Sequence, residues 1–96
     1  MIKEKVLKLI KNHRNELHQF RVREIYIFGS VARNEDTPES DIDILVAFDG
    51  PATFDQFMDL KFYLEDLFKR EVDLVTESGL RPELRNFVMR DLIRAA

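Results

Sequence analysis

A chain of 96 residues, 45% of them apolar and 34% charged, has room for one ordered domain around one core and carries too much apolar surface to stay disordered. Its net charge of -3 opposes the long-range attraction that nucleic acid exerts on basic proteins, so direct nucleic-acid binding is not expected. No apolar run reaches the roughly 18–20 residues of a membrane span and no secretory leader is visible, so a cytoplasmic, membrane-free protein is expected; the absence of cysteine leaves any metal to oxygen or histidine ligands.

From Ile2 to Leu17 the apolar residues Ile2, Val6, Leu9, Ile10 and Leu17 recur at three- and four-residue steps, which predicts one amphipathic helix. His13 falls on its apolar stripe and reads as a partly buried core residue, whereas His18 falls off it and reads as solvated. "VREIYIF" (22–28), closed by Gly29, predicts a first strand buried on both faces. A polar connection, "GSVARNEDTPES", follows, with one helical turn after Ser30. "DIDILVAF" (41–48) predicts a second strand, antiparallel to the first, that opens with two aspartates.

"DGPA" (49–52) breaks that strand, and Thr53 with Gln56 forms a capping-box pattern opening a helix over about 53–69, with a stripe of Phe54, Phe57, Leu60, Leu64, Leu67 and Phe68. Met58 and Phe62 lie outside that stripe, as a wider buried face or a partner surface. "EVDLVT" (71–76) predicts a third strand holding Asp73. Pro82 then opens a helix with Leu84, Phe87, Val88 and Leu92 that runs to the chain end. The order is α-β-(short α)-β-α-β-α, an α/β arrangement with a small mixed sheet of three, or four, strands in a single domain over 1–96.

That order brings carboxylates together. If strands one and two are antiparallel neighbours, Gly29 and Ser30 at the end of one lie beside Asp41 and Asp43 at the start of the other. A crossover helix then delivers the start of strand three, with Asp73, to the same end of the sheet. Alternation puts Asp41 and Asp43 on one face. At about 5 Å and an effective dielectric near 20, each pair of such charges repels by roughly 3 kcal/mol, so a counter-charge is expected. With oxygen ligands only, a hard divalent cation fits best, and Mg²⁺ is commonly shared between one or two carboxylates and substrate phosphates. The Gly29-Ser30 turn suits phosphate, with Arg33 within reach of the same group.

"GSVAR", "SDIDILV" and "EVDLV", in this order and on these elements, resemble the DNA polymerase beta-like nucleotidyltransferase superfamily, and within it the minimal nucleotidyltransferases that act as antitoxins. The resemblance implies a nucleotidyltransferase fold and a reaction: transfer of AMP from ATP to a tyrosine hydroxyl of a partner HEPN-type toxin encoded by an adjacent frame, in a hetero-oligomer. It also implies that Asp41 and Asp43 ligate two Mg²⁺ ions, that Asp73 ligates the ion activating the attacking hydroxyl, and that Gly29 and Ser30 hold the β- and γ-phosphates with Arg33 nearby. Two such ions stabilise both the entering and the leaving oxygen. The alternative is a non-catalytic antitoxin that neutralises its partner by contact. One departure stands out: Asn34 occupies a position where relatives commonly have Gly, and Asn also tolerates left-handed backbone.

Overall fold

The computed structural model describes residues 2–96. Helix α1 (Lys3–Asn12) and the short α2 (Arg14–His18) lead into strand β1 (Val22–Phe28). The turn-length helix α3 (Gly29–Ala32) follows, then β2 (Ile42–Phe48), α4 (Phe54–Phe68), β3 (Val72–Thr76), α5 (Pro82–Arg90) and a short β4 (Ile93–Arg94). The strands form one mixed sheet in the order β3-β2-β1-β4. β1 is antiparallel to both β2 and β4, while β2 and β3 are parallel, as the α4 crossover between them requires. Among the described residues no helix is long and apolar enough to cross a membrane.

The two faces of the sheet carry two cores. On one, Ile25, Ile27, Ile42, Ile44, Val46 and Val72 pack with Val6 and Ile10 of α1, Leu17 of α2, and Leu60, Leu64 and Phe68 of α4. On the other, a smaller cluster joins Phe28, Leu45 and Val88 of α5, flanked by Tyr26, Val75, Leu80 and Leu92. β1 therefore has apolar neighbours on both faces, with Arg23 exposed near its start. Strand alternation sets Asp43, Asp73 and Leu45 on the face of the smaller cluster, leaving the larger core as a rigid backing.

Helix α4 begins as its capping box predicts. The Thr53 side chain accepts the Gln56 N–H at 3.1 Å, and the Gln56 side chain accepts the Thr53 N–H at 2.8 Å. The helix ends at Lys69, which takes left-handed dihedrals (φ 57°) and turns the chain directly into β3.

Three expectations from periodicity are corrected. The N-terminal helix does not run unbroken to Leu17: His13 leaves helical geometry (φ -109°, ψ 23°), with Nδ1 2.8 Å from the Leu9 carbonyl, so the ring competes for a helical acceptor. His13 is half-buried and His18 exposed, as their positions on the stripe suggest. The last helix stops at Arg90, and the residues after it form β4, pairing Tyr26 with Arg94 and Ile27 with Ile93. A free edge on β1 would leave backbone groups unpaired beside the core, and this short strand satisfies them. Finally, Phe54 of the α4 stripe is 75% exposed, and Leu84 and Phe87 of α5 are also exposed, leaving Val88 as the α5 residue that is buried. Phe62 is likewise exposed and Met58 half-buried.

Candidate active site

The site forms at the junction of β1, β2 and β3. Phe28 at the end of β1 is the register partner of Asp43, and Asp43 is in turn the partner of Asp73 across the parallel pair. Directly paired residues share a face of the sheet, so the two carboxylates stand side by side. Asp41 lies one residue before β2 and is exposed, as is Asp73; Asp43 is half-buried.

Gly29 closes β1 with φ +71°, a region that side-chain-bearing residues rarely adopt. A Cβ there would overlap the Asp43 carboxylate, with its Cγ only 3.0 Å away. Glycine is thus required twice, by its backbone angle and by the carboxylate packed against it. The chain then makes the single turn of α3, whose leading N–H groups lack helical acceptors, with the Ser30 side chain half-buried at its start. Arg33 N–H donates to the Gly29 carbonyl at 3.1 Å and Asn34 N–H to that of Val31 at 3.1 Å. Asn34 takes φ 59°, so the left-handed turn is kept without glycine.

The electrostatics follow from this crowding. The Asp43 carboxyl is pushed up to about 6, first by burial, then by the negative charges of Asp73 and Asp41 and by a hydrogen bond with Asp73; Arg33 opposes the rise. Arg33 itself is held by two carboxylates, with Nη1 3.0 Å from Asp91 Oδ2 and Nε 3.2 Å from Glu35 Oε2. These hold its guanidinium more firmly protonated, the Asp91 hydrogen bond acting most strongly.

The donor set is oxygen only, which suits Mg²⁺, and the raised Asp43 carboxyl is an unmet demand for positive charge. Among the described residues no group of three His, Asp or Glu side chains is gathered to hold an ion by itself. Asp43 and Asp73 form the close pair, and Asp41 acts on Asp43 through its charge. A hard cation would thus complete its shell with water and phosphate oxygens, the usual manner of Mg²⁺. The residues fit that ion when it arrives with a phosphate ligand.

Three supporting residues escaped the sequence reading. Arg70 Nη1 donates to the carbonyls of Thr37 and Ser40, each at 3.1 Å, while Ile42 N–H donates to the Glu71 carbonyl at 3.0 Å, so the turn after α4 fastens the loop leading to Asp41. Asp91 secures Arg33 from 58 residues away in sequence. On the side of Asp73, Glu65 accepts the Val72 N–H at 3.0 Å and the Lys61 ammonium at 3.0 Å. The backbone bond is the main reason its carboxyl is lowered, and the contact fixes the start of β3 against α4.

Residues 7–95 match the family described as the nucleotidyltransferase domain. The chain belongs to that family. It is 38% identical over 91 residues to the protein adenylyltransferase MntA of Thermococcus cleftensis, covering 94% of this chain and 92% of that protein. It is also similar to the solved structure of a protein assigned to the minimal nucleotidyltransferases, with 40% identity, a TM-score of 0.71, and 95% and 86% of the two chains covered. A toxin-antitoxin crystal structure with AMP-PNP has the same fold, with a TM-score of 0.73 at 23% identity, covering 100% of this chain and 73% of that one. The four-stranded mixed sheet flanked by helices is thus the nucleotidyltransferase fold, and the chain is a nucleotidyltransferase-family enzyme whose relatives are named protein adenylyltransferases.

Proposed function

We propose that this chain transfers AMP from ATP to a tyrosine hydroxyl of a HEPN-type toxin encoded beside it, with Mg²⁺, and thereby serves as the antitoxin of a two-component system. The observation that carries the reading is the register of Asp43 with Asp73, closed from the other side by Gly29. This arrangement puts carboxylates beside a glycine turn suited to phosphate. The adenylyltransferase name of the Thermococcus relative and the toxin-antitoxin structures of the same fold support the substrate and the partner.

In this reading Gly29 and Ser30 receive the β- and γ-phosphates, and Arg33 supplies positive charge beside them. Asp41, Asp43 and Asp73 would hold two Mg²⁺ ions, which neutralise phosphate charge and stabilise the entering and leaving oxygens when bound. By holding an ion there, Asp41 and Asp43 would set the position of the α-phosphate relative to the sheet. Asp73, exposed to solvent, receives the acceptor hydroxyl, whose proton leaves through this carboxylate. The tyrosine oxygen bonds to the α-phosphorus, the bond to the β-phosphate oxygen breaks, and pyrophosphate departs.

Incubation with ATP labelled at the α-phosphate, Mg²⁺ and the purified neighbouring gene product tests this directly. Label on a tyrosine of the partner, lost in an Asp41→Asn/Asp43→Asn double variant, is the expected result. Full neutralisation by that double variant with no label transferred would refute the enzymatic reading and leave inhibition by contact.

A further inference from the structure

We infer that Asp91 is a positioning residue for nucleotide binding: it anchors the Arg33 guanidinium so that this cation faces the phosphates of the Gly29-Ser30 turn instead of folding onto the carboxylates of β2 and β3. This rests on the proposed nucleotidyl transfer and adds a residue to it that lies outside every motif of the site.

Arg33 caps the single helical turn that begins at Gly29, the residue packed against the Asp43 carboxylate, and its positive charge opposes the rise there. A guanidinium captured by Asp43 would occupy the place where a divalent cation is needed and would be withdrawn from phosphate. Asp91 prevents this by offering an oxygen at 3.0 Å. Of the two carboxylates on Arg33, Glu35 is 64% exposed on a loop, whereas Asp91 is only 19% exposed. Asp91 is therefore the fixed partner, and Glu35 the one that solvent weakens. Arg90 also approaches the same Asp91 oxygen, at 3.5 Å, but is 65% exposed.

The backbone holds Asp91 from both sides. It ends α5, whose Val88 is buried against Phe28 and Leu45. Two residues later Ile93 pairs with Ile27 of β1, the strand that runs into Gly29. The anchor is thus tied, through β4, to the strand that leads into the phosphate turn. Arg33 has one nitrogen on Asp91 and one on Glu35, and a five-donor fork retains donors for phosphate.

The test is binding of a non-hydrolysable ATP analogue with Mg²⁺, measured by calorimetry, together with the KM for ATP and kcat of the full protein. Asp91→Asn is expected to weaken analogue binding and raise KM by about tenfold, the size of one charge-assisted hydrogen bond, with kcat changed by less than about threefold. Asp91→Glu should restore most of the loss. In an Arg33→Ala background Asp91→Asn should cause no further loss. Analogue binding as tight as wild type in Asp91→Asn, or an undiminished effect in the Arg33→Ala background, overturns the inference and leaves the proposed function standing. A wild-type protein that binds no nucleotide refutes the proposed function itself, and the inference with it. If Asp91→Asn does not fold, the Arg33 side-chain N–H signals of the wild-type protein decide by NMR: they must shift on adding the analogue, and unchanged signals overturn the inference.

Discussion

Asp43 and Asp73, 30 residues apart in sequence, are direct register partners across β2 and β3. Their proximity is a property of the sheet and not of a flexible loop, so their spacing is fixed by backbone hydrogen bonds before any ligand binds. The cost of bringing them together is visible in Asp43, whose carboxyl is pushed up to about 6 by burial and by Asp73 and Asp41.

That displacement gives a pH dependence with a definite sign. A carboxyl that holds its proton more tightly in the folded state than in the unfolded one, where it titrates near 3.8, stabilises the fold at low pH. The contribution is lost as pH rises from about 4 through about 6. In cation-free buffer, urea unfolding midpoints of the wild type minus those of Asp43→Asn should fall across this window. Added Mg²⁺ should reverse the fall above pH 6 and bind progressively less well below it, because it competes with the proton. A difference that is flat with pH would contradict the geometry around Asp43.

Gly29→Ala should be damaging beyond what a single methyl group suggests. It forces a side chain into φ +71° and into the space of the Asp43 carboxylate, at a cost of about 1–3 kcal/mol. Because the strain can be relieved by displacing Asp43, nucleotide affinity should fall further than the melting temperature does. Thermal unfolding and analogue binding on the same sample separate the two effects.

At Asn34 the same backbone constraint applies. With φ 59°, Asn34→Ala should cost about 1 kcal/mol, while Asn34→Gly should stay within about 0.5 kcal/mol of wild type. Denaturant titrations of the two variants check the contrast, and equal stability of both would argue against a left-handed turn here.

Arg70→Ala removes both bonds to the Thr37 and Ser40 carbonyls. These carbonyls can turn to water, so global stability should drop by only about 1 kcal/mol. Residues 35–41 should exchange their amide hydrogens faster, and activity should fall less than on removal of the Asp41 carboxylate itself. Hydrogen exchange followed by mass spectrometry resolves this segment.

Much of the site was legible in the sequence because its parts lie where local rules are strongest. A glycine closing an apolar strand, aspartates two apart at the mouth of the next, and a capping box at Thr53 each announce a local geometry. The crossover rule then set the order of the strands and the meeting of Asp43 with Asp73. The exposed faces of α4 and α5 were not legible, since Phe54, Leu84 and Phe87 fall on apolar stripes and periodicity cannot tell a core face from an open one.

The sequence by itself determined the three strands, the crossover, the acidic residues and the glycine turn, since these follow from side-chain period and backbone sterics within a few residues. Only the tertiary structure decided that the chain after Arg90 leaves its helix to cover the open edge of β1. It also decided that Asp91 thereby reaches Arg33 and that Arg70 fastens the loop before Asp41. An ion pair spanning 58 residues and the need of a strand edge for partners depend on which elements end up adjacent, and no local pattern of residues carries that information.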